Sequence, residues 1–293
     1  MLFISASYPG LYPAPDTPQL KISGFLDWEK GTFEAITDLD LGSVNIRFPA
    51  GRSQAEEILE EEYLGLIKPL LFSMQADSSS TVFDLLQRGE LNLRQLDEIC
   101  LGARKIPPNF SADLSHFTGN YNIKLSSLTA ALVRHRQAGE PFRPIIPVPA
   151  ANYTGIIIVA NQPLPVRGRN SAALLEPCLF PKIWDSDMNL VYERNLTDPL
   201  VTGSGEKNMV YYTAVENIYR QTPSGLDMDL IKLVGERPLR IFANSVYGLV
   251  PTDPVIDKAD ALIILSNENN RRLLRDGKII LVIDEGMLGE KLN

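Results

Sequence analysis

Little in this 293-residue chain suits metal or thiol chemistry. It holds two cysteines, Cys100 and Cys178, and two histidines, His116 and His135. A structural zinc site needs about four close thiolate or imidazole ligands, and this chain has no CxxC pair to begin one. Basic charge is also short: 28 Lys and Arg stand against 36 Asp and Glu, for a net charge of −8. Neutralising phosphates takes clustered Lys and Arg, so the composition argues against a nucleic-acid partner and suits an anionic membrane surface poorly. No apolar run approaches the ~18–20 residues needed to span a bilayer.

Motifs that carry chemistry are missing as well. No G-x-G-x-x-G joins a strand to a helix, no Gly-Lys-Ser/Thr closes a phosphate loop, and no G-x-S-x-G elbow presents a serine. Gly168, between Arg167 and Arg169, and Gly203-Ser204-Gly205 read as turns. His135 in "RHRQ" and His116 in "LSHFTG" read as surface or satisfied histidines. Asp284 and Glu285 are neighbours, and adjacent residues on a strand point to opposite faces. Asp185 and Asp187 share a face but fall in a turn. The reading assigns no catalytic residue, no cofactor-binding residue and no metal ligand. The two thiols read as buried and free, with a single Cys100–Cys178 disulfide as the alternative.

What is present is material for two domains. The length exceeds the usual single-domain size, and 44% hydrophobic residues with 22% charged is ordinary for a globular protein. Residues 1–20 open with Leu2-Phe3-Ile4 and turn Pro-rich in "YPGLYPAPDTPQ", which reads as an arm or the remnant of a signal peptide begun upstream. "KISGFLDWEKGTFEAITDLDL" reads as a strand pair turning near Glu29-Lys30-Gly31. "SQAEEILEEEYLGLIKPLLFSM" repeats apolar residues at helical spacing, with Ser53 and Glu56 as a capping box and Pro69 expected to kink or end the helix near Lys68. Its glutamates, from Glu56 to Glu62, read as a solvated face. Thr81 with Asp84 caps a short helix that Gly89 closes, and Asn92 with Gln95 caps another that turns Cys100 inward. "NYNIKLSSLTAALV" reads as a strand followed by a short helix.

Prolines at 141, 144, 147 and 149 then interrupt both helix and strand, marking a linker at 141–152. Beyond it, "GIIIVA", "LFPKIWD", "LVY", "MVYYT", "LRIFANSVYG" and "KIILVID" carry strand signals. A hairpin turn falls at Asp185–Asn189. One helix is expected from Asp257 to about Gly277, leading into the strand at 278–284 as a β-helix-β unit. The fold class is α+β or α/β in two domains, 21–140 and 153–293, each a small mixed sheet packed with helices.

The first domain, through "RSQAEEILEEEYLGLIKPLLFSMQADSSSTVFDLL", "LRQLDEICLGARKI" and "YNIKLSS", resembles the small outer-membrane lipoprotein (LPP-type) family and relatives of flagellar assembly protein T. The second, through "TGIIIVA", "LFPKIWDSDMNLVY", "PLRIFA", "TDPVIDKADALIIL" and "KIILVID", resembles the C-terminal module of larger proteins of that kind. A full signal peptide, a lipobox cysteine and a "DARG"-type loop after the strand are absent. The resemblance implies a non-enzymatic structural or interaction protein of the periplasm or outer membrane, with envelope or flagellar proteins as partners. The alternative is a cytoplasmic enzyme or small-molecule binder, with Arg167, Arg169 and Asp284 lining a pocket at the strand ends of the second domain.

Overall fold

The computed structural model describes residues 20–44, 46, 51–203, 205, 210–218 and 228–292. Residues 1–19 of the expected arm lie outside the described residues. The first unit runs β1 (Leu20–Asp27), β2 (Thr32–Asp40), α1 (Arg52–Ser73), β3 (Gln75–Asp77), β4 (Ser80–Thr81), α2 (Val82–Gln87), α3 (Leu93–Leu101), β5 (Arg104–Phe110), β6 (His116–Lys124) and α4 (Leu125–Leu132). The second continues β7 (Ile156–Val159), β8 (Leu164–Pro165), β9 (Ala172–Ala173), β10 (Ile183–Asp185), β11 (Leu190–Tyr192), α5 (Pro199–Thr202), β12 (Tyr211–Ala214) and α6 (Val215–Ile218). It then adds α7 (Met228–Val234), β13 (Leu239–Tyr247), β14 (Asp253–Ile256), α8 (Lys258–Ser266), α9 (Glu268–Arg275) and β15 (Ile279–Ile283), and the last strand is β16 (Gly289–Leu292).

The first sheet has the order β16-β1-β2-β6-β5 and is antiparallel throughout, where a mixed sheet was expected. Alternation decides its faces: β2 and β6 bury every second residue. Phe33, Ala35, Thr37, Leu39, Phe117 and Tyr121 point under α1, which buries Leu59, Tyr63, Ile67 and Leu70. Tyr63 stacks on Tyr121 with ring centroids 4.0 Å apart, and its hydroxyl donates to the Cys100 carbonyl at 3.1 Å. A methyl group on Gly119 would lie 3.3 Å from Leu59 Cδ1 and 2.8 Å from Thr37 Oγ1, so glycine is what lets helix and sheet close there. Pro107 and Pro108 sit in β5, an edge strand, where a missing N–H costs no ladder bond on the open side.

For α1 one expectation is corrected and one is narrowed. The helix begins at Arg52 with Gly51 at the N-cap and no side-chain capping bond, so Ser53 lies inside the first turn. The Glu56 carboxylate that would complete a capping box instead accepts from Arg52 Nε at 2.9 Å. Nor does Pro69 end the helix, which continues to Ser73. An internal proline costs ~3 kcal/mol. Leu70, Leu71 and Met74, all buried just beyond it, offset that at roughly 1.5–3 kcal/mol each. Both short capping boxes form as expected, at Thr81/Asp84 and Asn92/Gln95.

The second sheet has the order β11-β10-β14-β13-β7-β15-β12. Strands β13, β7, β15 and β12 run parallel, and β7 and β15 are buried along their whole length. Such strands need cover on both faces. One face packs Ile157, Val159, Ile280 and Val282 against Ile218 of α6 and Leu230 and Val234 of α7. The other packs Ile156, Ile158, Ile279 and Leu281 into a cluster holding Ile264 and Leu274 of α8 and α9. The expected single helix from Asp257 is two: Asn267 leaves helical geometry at φ −107° and ψ 128° and starts α9, accepting from Asn269 N at 2.9 Å. β14–α8–α9–β15 occurs in the expected order, yet β14 runs antiparallel to β13 and so opposite to β15.

One further feature was not expected. After the second sheet is complete, β16 returns to pair antiparallel with β1, Gly24 opposite Leu292 and Asp27 opposite Gly289. The two units also share a core. The cluster that holds Leu26, Phe33 and Tyr63 continues through Trp28, Leu128, Leu179 and Tyr212 to Ile156 and Leu281.

Candidate functional site

The units meet along the β3–β4 turn of the first and the segments around β10 and β14 of the second. Leu179 N donates to Gln75 O at 3.2 Å, Phe180 N to Ala76 O at 2.8 Å and Val250 N to Ser78 O at 3.0 Å, so backbone bonds cross the junction. Gly248 makes the last approach possible. Its φ is +122°, and a methyl group there would fall 2.4 Å from Ser78 Cβ. Asp253 is fully buried nearby and accepts from Lys182 N at 3.0 Å, Thr252 Oγ1 at 3.0 Å and Trp184 Nε1 at 3.3 Å. Burial raises its pKa above the ordinary carboxylate value, and the hydrogen bonds only partly oppose this.

At the rim of this junction lies a polar cleft of about 230 Å³. The first unit lends Asp77, Ser79, Arg88 and Glu90; the second lends Phe180, Lys182, Glu193, Arg194 and Asn195. Glu90 is shared by two guanidinium groups, ion-pairing with Arg194 and standing 3.4 Å from Arg88 Nε. Arg194 also lies over the Phe180 ring, 5.1 Å from its centroid. Arg88 Nη2 donates to Ser80 Oγ at 2.7 Å. Domain junctions are common places for ligand sites, because neither unit alone has to build the concavity.

The Pro-rich linker forms a second feature, a strap laid against α8 and α9. Val148 N donates to Ser266 Oγ at 3.0 Å, and Asn267 Nδ2 donates to Ala150 O at 3.1 Å. Asn270 is buried and gives Nδ2 to Ala151 O at 3.0 Å while its Oδ1 accepts from Tyr153 N at 3.0 Å. Arg275 ties in Glu140 at 3.1 Å. Tied down in this way, the strap still turns Phe142, Ile145 and Ile146 outward, with Ile145 96% and Ile146 81% exposed.

The residues weighed from sequence do not converge. Arg167 donates to Ser186 O at 2.7 Å, Arg169 to Leu249 O at 3.1 Å, and Asp284 accepts from Gly286 N at 2.9 Å. Asp185 is buried and holds its hairpin, accepting from Asp187 N and Asn189 N, while Asp187 pairs with Lys258 at 2.5 Å. His116 Nδ1 meets Asp38 Oδ1 at 2.9 Å and His135 Nε2 meets Thr197 O at 2.7 Å. Cys100 and Cys178 are free and buried, and burial pushes the Cys100 thiol up to about 12. Among the described residues no group of three His, Cys, Asp or Glu could hold a metal ion, and no helix is long and apolar enough to cross a membrane. The cleft residues escaped the sequence reading, since Arg194 and Glu90 are 104 positions apart. Only the polar triplet Glu193-Arg194-Asn195 after an apolar strand hinted at them.

Residues 19–131 match the family model for the N-terminal domain of Treponema pallidum Tp0624, and residues 155–285 match the model for its second domain. The chain is thus similar, in order, to two successive parts of one protein, and the two matches coincide with the two sheet-bearing units. Together they show a two-domain α+β organisation. Comparison with curated proteins finds no match.

Proposed function

We propose that this protein is a non-enzymatic interaction component of the cell envelope, periplasmic or outer-membrane-associated, that docks other envelope or flagellar proteins. The observation that supports an interaction role is the strap. Two adjacent isoleucines stand almost wholly in water on a segment whose backbone is tied to α8 and α9 by at least four hydrogen bonds. Leaving such side chains in water forgoes roughly 1.5–3 kcal/mol each, which a partner's surface would recover. Holding the segment in place also lowers the ordering cost of docking. The envelope placement is supported by the sequence resemblance alone.

The test is fractionation of cells expressing the native, untagged gene, with a photo-cross-linking residue at Ile145 and a control at exposed Lys232. The expected result is an envelope-located chain giving an adduct of discrete mass from position 145, none from 232, and loss of the adduct on Ile146→Asp. A cytosolic chain without a position-145 adduct would end the proposal.

A further inference from the structure

The cleft between the units holds charges that the fold leaves unmatched. Arg194 is fixed on two sides, by the Phe180 ring beneath it and by the Glu90 carboxylate at Nη2. Its Nη1 is buried and has no hydrogen-bond partner among the described residues. Arg88 and Arg194 are two cations to the one Glu90 carboxylate, so this side of the cleft keeps a surplus positive charge suited to an anionic oxygen. Lys182 lines the same cleft, and among the described residues its ammonium meets no carboxylate.

Two carboxylates in the cleft are unmatched in the opposite sense. Asp77 accepts from Ser79 N at 2.9 Å and Ser79 Oγ at 3.0 Å, while Glu193 has Asn195 Nδ2 at 3.5 Å. Neither meets a cation among the described residues. A wall with both signs disfavours a polyanion, since phosphates would face Asp77 and Glu193 as like charges. The cleft's ~230 Å³ is also below the roughly 300–1,000 Å³ of pockets for drug-sized ligands.

We propose that this cleft binds a small zwitterion of the α-amino-acid or dipeptide class. Its carboxylate lies on Lys182 and toward the Arg88–Arg194 pair, and its ammonium on Asp77 and Glu193. Because both units contribute, the ligand binds only when they are docked and therefore stabilises their junction.

Titration calorimetry on the full chain tests this with alanine and glycylglycine as probes, and acetate and ethylamine as their separated halves. At least one zwitterion is expected to bind with Kd near 1 mM or tighter, at least ~10-fold tighter than either half. Lys182→Met and Glu193→Gln, which break no ion pair of the fold, are each expected to weaken it about 10-fold while leaving the thermal melt of the free protein in place. Three results would overturn the proposal: no heat from either zwitterion up to ~10 mM, acetate binding as tightly as the zwitterion, or an affinity that neither substitution moves.

Discussion

The two sheets of this protein solve the same problem in opposite ways. The first is antiparallel, covers one face with α1 and leaves the other to water, so β2 alternates as "TFEAITDLD". The second is parallel at its centre and covered on both faces, so β7 reads "IIIV" and β15 "IILVI" without a polar residue. The difference shows where each sheet tolerates change. In the first, half the positions are free; at the centre of the second, none is.

The sharpest way to break that comparison is a pair of truncations. Leu281→Ala at the centre of β15 is expected to cost roughly 2–5 kcal/mol, because Leu281 is fully buried and the cavity cannot collapse between two covered faces. Ile36→Ala on β2, 44% exposed, is expected to stay within about 0.5 kcal/mol. Urea unfolding measures both, and similar losses would remove the distinction. Next in size is Gly248→Ala at the contact between units. A side chain at φ +122°, with its Cβ 2.4 Å from Ser78 Cβ, is expected to cost on the order of 2 kcal/mol. Thermal unfolding reads it, and an unchanged melt would mean the junction yields easily.

The smallest expected effect comes from Asp253. Its folded pKa is raised above the ordinary value of 3.8, so the native state holds the proton more tightly than the unfolded chain does. That stabilisation is complete below 3.8 and is lost as pH rises through the folded pKa. Asp253→Asn cannot titrate. Its stability relative to the natural protein is therefore expected to improve as pH climbs from about 3.5 toward neutrality, in urea melts across that range. A flat difference would show that the hydrogen bonds from Lys182 N, Trp184 Nε1 and Thr252 fully balance burial, and a reversed trend that they outweigh it.

Local signals proved the most readable in the sequence. Thr81/Asp84 and Asn92/Gln95 each cap the helix they announced, and the Asp185–Asn189 turn joins β10 and β11 as expected, with Met188 at φ +63°. Where the reading failed, tertiary structure overrode the local rule. Pro69 does not end the helix, because the residues after it are buried; Ser53, by contrast, is no cap for a local reason, since the helix already starts at Arg52. Pro254 sits inside β14, opposite Val246 of β13, in a ladder whose register shifts further along, between Ala243 and Ser245. Beyond the polar triplet at 193–195 the cleft could not be read, since it exists only after residues near position 80 meet residues near position 190.

The return of β16 to the first sheet sets an order of assembly. During synthesis β1 emerges early, yet its second neighbour is residues 289–292, behind the whole of the second unit. At ribosomal speeds of roughly 5–20 residues per second, the open edge of β1 waits on the order of tens of seconds for its partner. Throughout that interval the nascent chain presents an unpaired strand edge, a template for any other extended segment nearby, and Leu292 closes it as it seats in the core.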